Sequence, residues 1–225
     1  MNKLNHVAFI MDGNGRWGKN KNKSRNFGHL KGVETVEKIV KASLKLRIPM
    51  ITFYVFSTEN WRRPKTEIRF LFNLIGSYFK KEINNVIKNG IKINILGRTS
   101  SFSTPLKSVL RDTVKKTTKN KKLVVNLALN YGSKNEIKNA FIKLKKSRSK
   151  ISEAKISKNL YTSKMHDPDI LIRTGGQRRL SNFMLWQLAY SELYFLDKLW
   201  PDFNSNDLRK IIKNYRSVKR NFGKV

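Results

Sequence analysis

HVAFIMDGNGRWG (residues 6–18) sets an apolar run directly against a turn that holds Gly13, Gly15 and Gly18. The run predicts a buried strand, and the glycines have the G-x-G-x-x-G spacing of a dinucleotide-binding turn. That reading needs a helix opening among the glycines, with its N-terminus facing a pyrophosphate. The residues that follow, KNKNKSRN (19–26), are polar and show no apolar periodicity; a convincing helical pattern starts only near Gly28 to Val33. Asp12 would also repel a pyrophosphate unless a cation stood between them. A Rossmann site is therefore disfavoured. A phosphate site of another kind accounts for the same residues. Asp12 at a strand end can hold Mg2+, a hard cation that takes a carboxylate together with substrate phosphate oxygens. Gly13 and Gly15 let backbone N–H groups approach a diphosphate, and Arg16, Arg25 and His29 can add charge-assisted hydrogen bonds.

Working outward, five more short apolar runs follow: MITFYVF (50–56), IKINILG (91–97), KLVVNLALNYG (122–132), DILIRTGG (169–176) and ELYFL (192–196). Between them lie stretches with helical spacing at 33–46, about 67–88 and 133–146. Nearly continuous apolar strands alternating with helices predict one α/β domain over 1–225. Its core is a mostly parallel sheet of about six strands, flanked by helices on both faces. Ligands of such sheets bind beyond the carboxyl ends of the strands. The polar clusters DGNGRW, STENWRRP and RTGGQRRLSNF each follow a predicted strand, so one shared site is expected there.

In the second cluster Ser57, Glu59, Asn60 and Arg63 surround Trp61. In the third, Arg173, Arg179 and Ser181 offer two guanidiniums and a hydroxyl, enough for a second diphosphate. The predicted helix from Glu67 carries Ile68, Phe70, Leu71, Phe72, Leu74, Ile75, Tyr78 and Phe79, more apolar residues than one core-facing stripe requires. Two apolar faces can line an elongated hydrophobic tunnel between this helix and the sheet. Neither a G-x-x-x-x-G-K-[ST] phosphate loop nor a D-D-x-x-D pair is present. Two diphosphates handled through one metal, beside an apolar tunnel, describe an isoprenoid site.

Charge and composition bound the remaining options. The chain has 48 Lys+Arg against 15 Asp+Glu, a net charge of +33, which attracts polyanions in general. Lysines alternate with asparagines and isoleucines throughout, the pattern of compositional drift. The lysine-rich stretches 115–122 and 143–150 lack interleaved aromatics for stacking bases, so they read as solvated helix ends and loops rather than a nucleic-acid surface. Zero cysteines exclude disulfides and thiolate metal sites, and no apolar run reaches the roughly 20 residues of a membrane span. The expectation is a soluble cytoplasmic protein.

HVAFIMDGNGRW, R-x-x-x-H-x-x-G (Arg25, His29, Gly32), FSTENWRRP, NYG-x-x-x-EI (Asn130 to Ile137), DPDILIRTGG, RLSNF and ELYF…WPDF together resemble the cis-prenyltransferases, above all the bacterial undecaprenyl diphosphate synthase type. The resemblance runs from about His6 to Gly223 in the family's order. It implies Mg2+-dependent, repeated condensation of isopentenyl diphosphate onto an allylic diphosphate, normally farnesyl diphosphate. The implied product is a long Z-polyprenyl diphosphate, undecaprenyl diphosphate, a precursor of the cell-wall lipid carrier. By the same resemblance the enzyme is a homodimer without a nucleic-acid partner. With the charge, it implies transient contact of a cytoplasmic protein with the inner membrane face.

Carried over residue by residue, Asp12 is the essential metal-linked aspartate and Glu192 a second metal-associated carboxylate. Gly13, Asn14, Gly15, Arg16, Arg25 and His29 hold the allylic diphosphate. Arg173, Arg179, Leu180 and Ser181 belong to the isopentenyl diphosphate site. Trp17 and Trp61 border the substrates, and Ser57, Thr58, Glu59 and Arg63 line the site. Asn60 matches the residue usually named as proton acceptor. A neutral amide is a poor base, so Asn60 is read as orienting a water or diphosphate oxygen that takes the proton. Many members have Glu-His after RTGG, where this chain has Gln177-Arg178; RNFG (220–223) departs slightly from RRFG. A basic nucleic-acid-binding protein and a non-catalytic partner subunit are the alternatives. The second is disfavoured by retention of Asp12, Asn60, Arg173 and Arg179.

Overall fold

All five residues of the first strand, β1 (His6–Ile10), are buried, because both of its faces are covered. Val7 and Phe9 enter one apolar cluster, and Ala8 and Ile10 enter another on the opposite face. The same split recurs in β5 (Ile170–Arg173), with Ile170 and Ile172 on one side and Leu171 on the other. Alternate side chains of a strand point to opposite faces, so a strand between two helical layers must be apolar at every position. This is why the runs read as unbroken.

The computed structural model describes residues 2–147 and 150–221. After β1 come α1 (Asn14–Asn20), α2 (Arg25–Lys45), β2 (Met50–Ser57), a 3-10 turn (Thr58–Arg62) and α3 (Lys65–Lys88). There follow β3 (Ile91–Leu96), α4 (Thr104–Thr117), β4 (Leu123–Tyr131), α5 (Ser133–Lys146) and α6 (Glu153–Asn159). The chain continues through β5, β6 (Glu192–Phe195) and α7 (Ser205–Ser217). The six strands form one sheet in the order β3-β4-β2-β1-β5-β6, and every pairing is parallel. The expected six-stranded α/β architecture is therefore the observed one. Among the described residues no helix is long and apolar enough to cross a membrane.

The glycine-rich turn departs from expectation. A helix does open there: α1 begins at Asn14, with Gly13 before it at φ 108°. Likewise α2 begins at Arg25, where the Ser24 hydroxyl accepts from the Phe27 N–H, well before the expected start. Apolar spacing could not reveal α1 because it packs on α2 through backbone. A Cβ on Gly28 would lie 1.9 Å from the Asn14 carbonyl oxygen, and one on Gly18 would lie 2.3 Å from that of Ser24. Contact through glycines leaves no hydrophobic periodicity to read. Stretch 115–122 lies at the end of α4 and the following loop; 148–149 and 222–225, and so part of RNFG, lie outside the described residues.

A row of polar side chains crosses the sheet. The buried His6 ring bonds the His166 carbonyl through Nδ1 (2.6 Å) and the Thr52 hydroxyl through Nε2 (2.6 Å). Asn126 donates to Thr52 (2.9 Å), and Asn94 donates to Asn126 (3.0 Å). The carbonyl requires Nδ1 to carry the proton, and in the neutral ring Nε2 then accepts from the Thr52 hydroxyl. Burial, opposed by the His166 carbonyl and Asp169, lowers the His6 pKa to about 4.

Candidate active site

Asp12 lies two residues past the end of β1, and its backbone is pinned there by Thr174. The Thr174 hydroxyl donates to the Asp12 carbonyl (2.8 Å) and accepts from the Asp12 N–H (3.1 Å). One carboxylate oxygen accepts from Arg173 at the end of β5 (2.9 Å), the other from Arg16 of α1 (3.2 Å). Arg173 is 3% exposed. It also donates to the Ser181 hydroxyl (2.8 Å) and the Arg179 carbonyl, so one guanidinium joins the β1 end to the RLSNF loop. The turn between β1 and α1 needs its first glycine, because a Cβ on Gly13 would lie 2.7 Å from the Leu199 side chain at a left-handed φ.

A second centre forms around Glu67 in the first turn of α3. Its carboxylate receives two bonds from Arg25 (both 3.2 Å), one from His29 Nε2 (3.1 Å) and one from Arg63 (3.4 Å). Burial pushes the Glu67 pKa up, but the bonds from Arg25 and His29 and the charges of Arg25 and Arg63 outweigh it and hold it low. Burial lowers the His29 pKa despite the opposing carboxylate. His29 is therefore a neutral hydrogen-bonding group at neutral pH, and the arginines carry the charge.

Both centres open on one cavity of about 460 Å³. Arg16, Arg25, Arg63, Arg173 and Arg179 line its polar end, where Asp12 is the one carboxylate among the described lining residues. Five guanidiniums around one carboxylate suit an anionic ligand richer in charge than a single carboxyl group. The other end is apolar, walled by Leu71, Leu74, Ile75, Tyr78 and Phe79 of α3 and by Leu127 and Leu129 of β4. From Glu67 to Phe79, α3 rises about 18 Å away from the arginines. Asn14 Oδ1 and Arg173 Nε are buried at the polar end with no hydrogen-bond partner among the described residues. No cluster of three or more His, Cys, Asp or Glu gathers among them. A single half-buried carboxylate beside an anion pocket fits Mg2+, which is commonly bound by one or two carboxylates plus substrate phosphates.

The family model described as "Putative undecaprenyl diphosphate synthase" matches residues 10–223. This chain belongs to that prenyltransferase family. The isoprenyl transferase of Rickettsia bellii is 45% identical over 225 residues, covering 100% of both chains, and that of Wolinella succinogenes is 44% identical, covering 100% of this chain and 99% of the other. Among solved structures, lavandulyl diphosphate synthase from Lavandula x intermedia, in complex with dimethylallyl diphosphate, superposes with a TM-score of 0.93 at 31% identity, covering 98% of each chain. A "probable undecaprenyl diphosphate synthase" from Campylobacter jejuni gives 0.85 at 32% identity over 100% of both.

In this prenyltransferase Asp12, Gly13, Asn14, Gly15, Arg16, Arg25, His29, Ser57, Asn60, Arg63, Arg173, Arg179 and Ser181 all border the cavity. Several other expected residues do not line it. Trp17 donates to Asp202 (2.7 Å) and stacks on Phe27. Trp61 donates to Asn130 (2.8 Å) and packs on Phe56 and Phe72. Thr58 donates to Glu59, Glu59 accepts from Asn182, and Leu180 packs against the cluster of Ala8 and Phe183.

Glu192 lies elsewhere. It begins β6 in register with Ile170 and Val7, about 10 Å before the strands reach the cavity, and pairs with Arg220 at 3.7 Å. Within this chain Asp12 and Glu192 do not share a site.

Sequence reasoning missed Glu67 and Thr174. Glu67 is four residues after Arg63, the helical spacing for an ion pair, and that was the one available signal.

Proposed function

We propose that the protein catalyses Mg2+-dependent elongation of an allylic diphosphate by isopentenyl diphosphate. Farnesyl diphosphate is the primer, and a long Z-polyprenyl diphosphate, undecaprenyl diphosphate, is the product. One observation carries this reading: a single cavity has five arginines at one end and apolar walls from α3 and β4 at the other. A diphosphate head fits the first and a prenyl chain the second. The structural relative solved with dimethylallyl diphosphate supports the allylic half of the assignment.

In this account Gly13, Gly15, Arg16, Arg25 and His29 hold the allylic diphosphate, and Arg173, Arg179 and Ser181 hold isopentenyl diphosphate. The C1–O bond of the allylic substrate breaks, and its diphosphate leaves with the electron pair. The isopentenyl double bond supplies the electrons of the new carbon–carbon bond to C1. A proton then leaves the isopentenyl C2, and a new double bond forms. Arg16 and Arg25 stabilise the departing charge through hydrogen bonds fixed beforehand. Asp12 would hold Mg2+, which would supply further neutralisation of that charge. The Asn60 amide oxygen accepts from the Ser57 N–H (3.2 Å), so its NH2 is the group turned to ligand. An NH2 donor orients a diphosphate oxygen and leaves the proton to that oxygen or to water.

A homodimer belongs to the same reading, and only a second copy could bring Glu192 near a metal at Asp12. So does a cytoplasmic location with transient docking on anionic lipid, for which the charge of +33 is the support. The test is incubation with farnesyl diphosphate, labelled isopentenyl diphosphate and Mg2+, then chain-length separation of the extracted products. A ladder of labelled polyprenyl diphosphates is expected. Label that never enters an extractable lipid would refute the proposal.

A further inference from the structure

The loop that carries Arg179 and Ser181 is held in an unusual way. Ser181 (φ 50°), Asn182 (φ 62°) and Met184 (φ 44°) all adopt the left-handed region without being glycine. Such a conformation costs energy and persists where surrounding contacts over-determine it, a condition concentrated at functional sites.

Asn182 makes most of those contacts. Its carbonyl accepts from the Ser133 N–H (2.8 Å) and its Oδ1 from the Lys134 N–H (2.9 Å), which fastens the loop to the start of α5. Its NH2 donates to Glu59 Oε1 in the 3-10 turn (2.8 Å), and Thr58 donates to the other oxygen of the same carboxylate (3.1 Å). Gly132 passes directly beneath: a Cβ there would lie 2.5 Å from the Thr58 hydroxyl and 2.8 Å from Asn182 Nδ2. Burial pushes the Glu59 carboxyl up, yet hydrogen bonds led by that of Asn182 bring it below its usual range, so it stays an acceptor at neutral pH.

One end of this bridge is the turn whose Asn60 lines the cavity. The other is the loop whose Ser181 is aligned by Arg173, itself paired with Asp12.

We propose that Asn182 is a positioning residue for the isopentenyl diphosphate subsite, locking the 58–62 turn to the loop that presents Arg179 and Ser181. It touches neither substrate. It fixes Ser181 one residue away and transmits the state of the turn to the isopentenyl diphosphate subsite. The inference rests on the proposed function for the identity of the two ligands, but the bridge itself does not.

Asn182→Asp isolates the bridge. It tolerates the left-handed backbone and keeps the acceptor for Lys134, where a negative charge also suits the helix start. It removes the NH2 donor and sets a carboxylate against Glu59. In steady-state kinetics the variant should raise the KM for isopentenyl diphosphate about ten-fold, because Arg179 and Ser181 lose their alignment. The KM for the allylic primer should stay within about two-fold, and the urea midpoint should fall only slightly, because Glu59 is exposed. Adding Glu59→Gln supplies an NH2 to the new carboxylate, re-forms the bond with reversed polarity and should return the KM towards its original value. Hydrogen exchange of the 57–63 amides in ligand-free protein should quicken in Asn182→Asp and slow again in the double variant. Unaltered exchange and kinetics in Asn182→Asp would overturn the coupling, as would a KM loss that Glu59→Gln fails to rescue. A native protein that turns over no isopentenyl diphosphate would refute the functional reading instead, while the exchange data would still judge the bridge.

Discussion

Asp12 joins two roles that the sequence alone keeps apart. A carboxylate at a strand end reads as a ligand-facing group with little part in stability, but here it is also the partner of the buried Arg173 guanidinium. Asp12→Ala should therefore abolish most turnover and also destabilise the fold by about 1–3 kcal/mol, the cost of stranding a buried polar partner. Asp12→Asn keeps an acceptor for Arg173, so a urea titration should recover much of that loss while turnover stays low. Equal destabilisation by the two substitutions would remove the ion pair from the account. The two diphosphate clamps should separate as well. Arg25→Ala is expected to weaken allylic diphosphate binding, and Arg179→Ala isopentenyl diphosphate binding, each by about ten- to hundred-fold. Calorimetric titrations showing the same loss for both ligands in both variants would contradict separate subsites. Cationic groups following strands were legible because three such clusters stand at predicted strand ends, where the ligands of a parallel sheet bind. Glu67 was not, since a carboxylate in the first turn of a helix is ordinary there. Its partners come from α2 and from the segment before α3, a juxtaposition only folding creates.

The central strands β1, β4 and β5 were legible because strands covered on both faces are nearly all apolar, and α3 because its long apolar surface has helical spacing. The α1–α2 pair was hidden for the opposite reason. Its closeness is achieved by removing side chains, with Gly28 against the Asn14 carbonyl and Gly32 against the Asn14 side chain. Gly28→Ala tests this element directly. With 1.9 Å between the new Cβ and the carbonyl oxygen, α1 must shift, at a cost of about 1–3 kcal/mol for an overpacked contact. The shift carries Asn14 and Arg16 with it. Thermal unfolding should therefore move to lower temperature, and affinity for the allylic diphosphate should fall in the same variant. A variant with native stability and native affinity would mean that α1 is not held by this contact.

Over the whole molecule, stability should depend on pH through the buried row that His6 anchors. The His6 pKa is lowered from 6.5 to about 4 in the folded chain. Its contribution is full above pH 6.5 and is lost as the pH falls towards 4, because the unfolded chain takes up a proton that the folded chain refuses. The shift corresponds to about 3 kcal/mol at most. Urea midpoints should fall across that window in the native protein and fall less in His6→Asn; identical slopes would exclude the histidine as the cause. Repeated condensation also belongs to the whole molecule, with one cavity proposed as both head site and chain site. Its most direct test is a single-turnover reaction, with the enzyme in excess over farnesyl diphosphate and isopentenyl diphosphate in large excess over both, quenched in time and analysed by mass and double-bond geometry. Each primer should gain several isopentenyl units, every new double bond should be Z, and chelating Mg2+ should stop the series. Primer recovered unextended, or extended with E double bonds, would contradict it.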